Sequence, residues 1–189
     1  SAIGMKPVVT GSVCGEWADV KAIVAASSVD APREWINPYS FAPPIAPHLA
    51  AKQAGIEIDI AIISQAYCNL QKIADVVIVE GVGGVMVPLN RSNDVVEMAF
   101  SLNIPLILVV GMRLGCLNHA LMTAKIAQAA GLRLAGWVAN QIVPQMDFFE
   151  ENLNVLKSRL NCPLLGVLPF ELNVDINKFS TLLDIGQLE

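Results

Sequence analysis

Four short apolar runs limit what this chain can fold into: Val76–Val79, Pro105–Val110, Leu134–Ala139 and Leu164–Leu168. A run of this length bounded by turn residues reads as a strand covered on both faces, the habit of parallel sheets. The stretches between them carry apolar residues at helical spacing. Strand and helix alternate from end to end, so the expectation is one α/β domain over residues 1–189, a parallel sheet in three layers with helices on both faces.

The remaining elements follow from the same reading. Met5 to Thr10 reads as a strand running into Gly11, and Asp19 to Ala26 as a helix. Prolines 32, 38, 43, 44 and 47 mark an irregular connection, followed by a short helix from His48 to Ala54 that Gly55 stops. Asp59 suits the N-cap of a helix with Ile62, Ile63, Ala66, Tyr67, Leu70 and Ile73 on one face. Helices are also expected over Asp94–Leu102 and Leu117–Ala130, the second closed by Gly131. Asp147 and Glu150 form a capping-box pattern before a helix with Leu153, Leu156 and Leu160. The tail from Ile176 to Leu188 reads as a last helix.

Composition removes several function classes. With 54% hydrophobic and 15% charged residues the chain can build a core and is not a disordered one. A net charge of −5 argues against nucleic acid or an anionic membrane surface as a general partner, while leaving room for a small anion at a local positive site. Four cysteines, Cys14, Cys68, Cys116 and Cys162, lie far apart with no metal spacing, as expected of reduced thiols in a cytoplasmic protein. No apolar run reaches the ~20 residues that span a bilayer.

Chemistry gathers where strands end. In open parallel sheets, ligands bind outside the carboxyl ends of the strands. Lys6 and Thr10 lie on and after the first strand, and Glu80 follows Val79 and opens the turn Gly81-Val82-Gly83-Gly84. Gly111 to Asn118, then Asn140, then Pro169 and Phe170 follow the later strands. A carboxylate beside glycine amides can hold a hard cation and face an anion; a solvated Glu capping a flexible turn is the alternative. Lys, Thr, carboxylate, glycine amides and a carboxamide together suit phosphate, magnesium and a purine edge.

Over nearly its whole length the chain resembles the dethiobiotin synthetases, ATP-dependent ligases of P-loop NTPase-like fold. Gly4-Met5-Lys6-Pro7-Val8-Val9-Thr10-Gly11 is similar to the family's G-x-K-P-[VI]-x-[ST]-G segment. Asn37-Pro38-Tyr39-Ser40-Phe41 and Ala46-Pro47-His48 resemble its proline-rich connection. Val79-Glu80-Gly81-Val82-Gly83-Gly84 matches V-E-G-A-G-G with Val82 in place of Ala; Leu114 to Ala120 and Gly136 to Asn140 also match.

The resemblance implies a reaction and a set of roles. The diamine 7,8-diaminononanoate would take up CO2 as a carbamate, ATP would phosphorylate it, and the second amine would close a cyclic urea. Lys6 would meet carbamate and transferring phosphate, and Thr10 the substrate amine or carbamate, with a plain turn hydroxyl as the alternative for Thr10. Asp19 and Glu80 would hold Mg2+, with an N-cap as the structural alternative for Asp19. Gly81, Val82, Gly83 and Gly84 would line phosphates and substrate. Asn118 would bind the far carboxylate across a homodimer interface, with a plain N-cap as its alternative. Asn140 would read adenine, with Pro169 and Phe170 packed on the base. His48 and His119 are expected to be structural.

One departure is an absence. The family's G-x-x-x-x-G-K-[ST] loop should precede the Lys6 strand, and no segment of the sequence matches it. The expectation is an N-terminally incomplete piece of an active enzyme, short by on the order of 30 residues of strand, loop and helix. The alternative is a nucleotide-blind scaffold of the same fold. The Thr10–Asp19 join is also shorter than the resemblance leads one to expect.

Overall fold

The computed structural model describes residues 1–188, which form two compact units, Ser1–Leu102 and the remainder from Asn103. Both are α/β, and every named strand ladder is parallel. Among the described residues no helix is long and apolar enough to cross a membrane.

The first unit holds β1 (Ala2–Met5), β2 (Val8–Thr10), α1 (Ala18–Ala26), α2 (Arg33–Ile36), β3 (Tyr39–Phe41), α3 (Pro47–Gln53), α4 (Ile60–Leu70), β4 (Val76–Val79) and α5 (Val95–Leu102). The expected strand from Met5 to Thr10 is in fact two. It breaks at Lys6-Pro7, and the halves take different partners: β1 pairs β4 with Met5 opposite Val79, and β2 pairs β3 with Thr10 opposite Phe41. Pro7 has no N–H to give a ladder, so the chain changes neighbour there. The proline-rich connection contributes α2 and β3, two elements that its punctuation hides.

Asp59 caps α4 as its side chain suggests, accepting from the Ala61 N–H at 2.8 Å. The buried stripe is Ile63, Ala66, Tyr67 and Leu70; Ile62 and Ile73 lie off it and are exposed, a correction to the expected face. On α1, Val20 is fully buried, and Gly4 lets the helix close on β1, because a Cβ there would stand 2.5 Å from Ile23 Cγ2. That contact fixes where the first turn of α1 points.

The second unit holds β5 (Leu106–Met112), α6 (Cys116–Ala129), β6 (Leu134–Gln141), α7 (Phe149–Arg159), β7 (Leu164–Leu168) and α8 (Ile176–Ser180). Strand order is β5-β6-β7, with β6 central and buried from Ala135 to Ala139. Its core joins Val110 and Met112 of β5, Trp137 and Ala139 of β6, Cys116 and Ala120 of α6, and Leu153 and Leu156 of α7.

Three expectations are corrected here. α7 is not opened by an Asp147–Glu150 box: its N-cap is Phe148, in left-handed conformation at φ 57° and without a side-chain cap bond. The tail is not one helix, since α8 ends at Ser180 and only a 3-10 turn, Ile185–Gln187, follows. Between them the chain lies against β7, where the Asp184 N–H donates to Leu165 O. Finally, β4 and β5 are not covered on both faces: Val76 and Ile78 are 51% and 63% exposed, Ile107 and Val109 46% and 59%. Each of these strands has a strand partner on one side only, whereas β6 has two.

Candidate functional site

In the first unit, the β1–β4 register decides the geometry. Met5 lies opposite Val79, and Glu80 N–H donates to Met5 O at 2.8 Å, so Lys6 and Glu80 leave adjacent parallel strands side by side at their carboxyl ends. Lys6 is buried, its side chain 5% exposed. Its ammonium donates to Glu80 Oε1 at 2.6 Å and to Gly81 O at 3.0 Å, and lies 3.1 Å from Asp19 Oδ2. Both carboxylates are more than half exposed. One buried cation thus gathers three of the residues that the sequence singles out, with Gly81 as a fourth.

Asp19 reaches this cluster from the first turn of α1, beyond Trp17, which is the N-cap residue. The cap alternative for Asp19 therefore falls. A carboxylate there is favoured by the helix dipole whatever else it does. The preceding join is closed by a tight turn, with Cys14 and Gly15 both left-handed at φ 52° and 77° and Val13 bridged to Glu16. Trp17 Nε1–H donates to Phe41 O at 3.1 Å, which ties the start of α1 to β3.

Sequence reasoning gave Asn37 no role, and the structure gives it one. It is 5% exposed, and its Nδ2 donates to Lys6 O at 2.6 Å and to Tyr39 O at 3.0 Å, while Arg33 donates to its Oδ1. The Lys6 N–H in turn donates to Ile36 O at 2.8 Å. Both main-chain polar groups of Lys6 are therefore held by the C-terminal end of α2, Ile36 and its C-cap Asn37. The signal was the Asn37-Pro38 pair, legible as a turn but silent about what the carboxamide binds.

The glycine loop after Glu80 runs into α5. Gly83 has φ 67°, and a Cβ there would lie 2.9 Å from Val87 Cγ2, so glycine is required on both counts. Val82 is half-buried and Gly84 exposed. The loop is anchored by Val87 N–H to Gly84 O and Val96 N–H to Val85 O. Asp94 caps α5 through the Val96 N–H, and Glu97 accepts from the Asp94 N–H. Burial, then the contact with Glu97, raises the Asp94 carboxyl above its usual range; the bond to Asp94 lowers Glu97. Thr10 ends β2, half-buried, with the Gly11 N–H behind it bonded to Phe41 O.

The second unit presents a different edge. Asn140 stands between Gly111 of β5 and Leu168 of β7, so the carboxyl ends of three strands align, and Pro169 and Phe170 continue from β7, both half-buried. Asn118 is exposed in the first turn of α6, whose N-cap is Gly115 at φ 92°; a cap role for Asn118 is therefore ruled out. A cleft of about 270 Å³ beside it is lined by Arg113, Cys116, His119 and Thr123 among others. His48, in α3, has a buried Nδ1 with no partner among the described residues.

Among the described residues no three His, Cys, Asp or Glu side chains converge. The donor set at Lys6 still fits Mg2+, which is commonly held by one or two carboxylates together with substrate phosphates. The stand-in is visible in the structure: a cation already sits between Asp19 and Glu80.

Comparison with known proteins identifies the family. A family model described as an AAA domain matches residues 2–177, which sets the chain in the P-loop type of α/β proteins. The ATP-dependent dethiobiotin synthetase of Nitrosospira multiformis is 54% identical over 188 residues, 100% of this chain and 83% of that protein. That of Aromatoleum aromaticum is 50% identical over 93% of this chain and 80% of its own length. That of Pseudoalteromonas translucida is 41% identical over 97% and 83%. The chain belongs to the ATP-dependent dethiobiotin synthetase family.

Proposed function

We propose that the chain is a ligase that makes dethiobiotin at the expense of ATP. Its substrates are 7,8-diaminononanoate, CO2 and ATP, and its products dethiobiotin, ADP and phosphate. One amine of the diamine attacks CO2 and loses a proton, giving a carbamate. The γ-phosphoryl group passes to a carbamate oxygen, and the second amine then displaces phosphate to close the ring. The observation that carries this reading is the buried Lys6 ammonium with Asp19 and Glu80 at the carboxyl ends of β1 and β4, in a chain 54% identical to such a synthetase.

Both the carbamate and the transferring phosphoryl group are anionic, so catalysis is chiefly positioning and charge neutralisation. Lys6 supplies the neutralising cation, and its burial makes that charge act in a medium less screened than water. Thr10 offers a hydroxyl to the amine or carbamate. Gly81, Val82, Gly83 and Gly84 let backbone approach phosphate and substrate. Asp19 and Glu80 would hold Mg2+, which supplies charge neutralisation on the phosphates. Asn140 takes the adenine edge, with Pro169 and Phe170 against the base. Asn118, exposed at the start of α6, takes the far carboxylate of the diamine from the second copy of a homodimer. A cytoplasmic setting belongs to the same reading, and four free cysteines suit it.

The test is direct. Purified protein with 7,8-diaminononanoate, bicarbonate and Mg-ATP should yield dethiobiotin and ADP in equal amounts by mass spectrometry. ATP consumption without dethiobiotin, or neither, overturns the reading.

A further inference from the structure

Lys6 and a divalent cation have claims on the same two carboxylates. The ammonium lies 2.6 Å from Glu80 and 3.1 Å from Asp19, with Gly81 O at 3.0 Å as a third oxygen. Three oxygens from three separate positions around one cation is the arrangement expected of part of a hard-metal shell. The distances are those of an ammonium, longer than Mg–O contacts by about 0.5 Å at Glu80 and about 1 Å at Asp19 and Gly81, so Lys6 also spaces the two carboxylates.

We propose that the Lys6 ammonium occupies the place of the divalent cation and must give up Asp19 and Glu80 when that cation binds. The inference rests on the reading of these two carboxylates as the metal-binding pair. Two facts make the exchange specific. The carboxylates are more than half exposed, so an ion can reach them from solvent without opening the fold. The Lys6 side chain is 5% exposed, and Asn37 and Ile36 hold its main chain, so the ammonium starts from a buried position rather than from solvent. A buried ammonium stripped of its partners is strongly unfavourable.

Lys6 released from Asp19 and Glu80 therefore needs another anion close by. In the dethiobiotin reading that anion is the carbamate. Cation binding and carbamate binding then favour each other, and the coupling is reciprocal. Lys6 has two successive duties: counter-ion to Asp19 and Glu80, then counter-ion to the reacting group. Its burial keeps it within reach of both.

The experiment is Mn2+ binding, followed by electron paramagnetic resonance without nucleotide or diamine, on the wild-type chain, Lys6→Met and Lys6→Arg. Removing the competing charge should tighten Mn2+ by about 10-fold or more in Lys6→Met, within the usual range of coupling between two sites, while Lys6→Arg stays near wild type. Equal or weaker Mn2+ binding by folded Lys6→Met overturns the proposal. Should that variant not fold, the wild-type chain still decides. Burial should make the Lys6 15Nζ resonance observable, and it should move as Mg2+ alone is added; a signal unchanged at saturating Mg2+ overturns the exchange. Neither readout depends on turnover, so failure here and failure to form dethiobiotin are separate results.

Discussion

The carboxyl edges of the two units are built from the same parallel strands and carry opposite chemistry. At the β1–β4 edge a buried ammonium lies within 3.1 Å of each of two carboxylates. At the β5–β6–β7 edge the equivalent positions hold Gly111, Asn140 and the Leu168-Pro169 step, none of them charged. Strand order alone does not set what an edge binds; the one or two residues after each strand do. A charged edge suits phosphate and metal, and a neutral edge with one carboxamide suits the hydrogen-bonding rim of a base.

The sharpest test of that contrast is kinetic. Lys6→Met removes the charge that meets the developing anion, so kcat should fall by about 10²–10³-fold, the usual cost of one electrostatic contact to a transition state. Asn140→Ala removes a contact made equally in ground and transition states, so the KM for ATP should rise while kcat is largely kept. Steady-state kinetics over an ATP series checks both. A kcat loss in Asn140→Ala as large as in Lys6→Met would erase the distinction between the edges.

Stability gives the second contrast. Trp137, on β6, is fully buried in the core of the second unit, whereas Val109 on neighbouring β5 is 59% exposed. Trp137→Ala should cost about 3–5 kcal/mol in urea unfolding. Val109→Ala should stay within about 0.5 kcal/mol, because an exposed methyl pair leaves no cavity. The Trp137 indole N–H has no partner among the described residues, so Trp137→Phe should cost far less than Trp137→Ala. A Trp137→Phe variant as damaged as Trp137→Ala would show that the N–H is bonded after all.

Asn37 couples stability to the site. Three hydrogen bonds hold its carboxamide in a buried place, and Asn37→Ala leaves Lys6 O without its donor. A loss of about 1–3 kcal/mol is expected. Because the Lys6 main chain loosens, kcat should fall further than the stability loss alone explains while the KM for ATP holds. Asn37→Asp keeps the shape but puts a carboxylate against the Lys6 carbonyl, and should be worse than a shape argument allows.

The sequence made β6, β7, α6 and the Asp59 cap legible because each obeys one rule: a continuous apolar run, a helical stripe or a capping side chain. It also brought Lys6 and Glu80 forward as charged residues at strand ends, and Asp19 only through the family resemblance. What it hid depended on partners far along the chain. The break of the first strand at Pro7 is plain once β2 is seen to pair β3, yet β3 lies among prolines that read as coil. Phe148 in left-handed conformation opens α7 where Asp147 and Glu150 offered a better local pattern. The open faces of Val76 and Ile78 could not be read from a run whose composition is that of a covered strand.

The smallest effect concerns Asp94 and Glu97 at the start of α5, and there the sign matters more than the size. The Asp94 carboxyl is raised above 3.8, so its share of stability is present at low pH and is lost as pH rises through its folded value. Glu97 is lowered below 4.5, so its share is present above 4.5 and is lost as pH falls through its folded value. The two act in opposite directions, so each opposes the other's pH dependence in the wild type. Asp94→Asn keeps an acceptor for the Val96 N–H and a donor for Glu97, and it abolishes the opposing term. That variant should match or exceed wild type at pH 7 and lose stability more steeply below about pH 4.5, where Glu97 takes its proton. Asp94→Ala, by contrast, should cost about 1 kcal/mol at pH 7, the usual price of an N-cap. Urea midpoints from pH 3 to 8 separate the three. If Asp94→Asn falls with Asp94→Ala at pH 7, it is the charge on Asp94, acting on the helix dipole, that holds α5 and not its hydrogen bond.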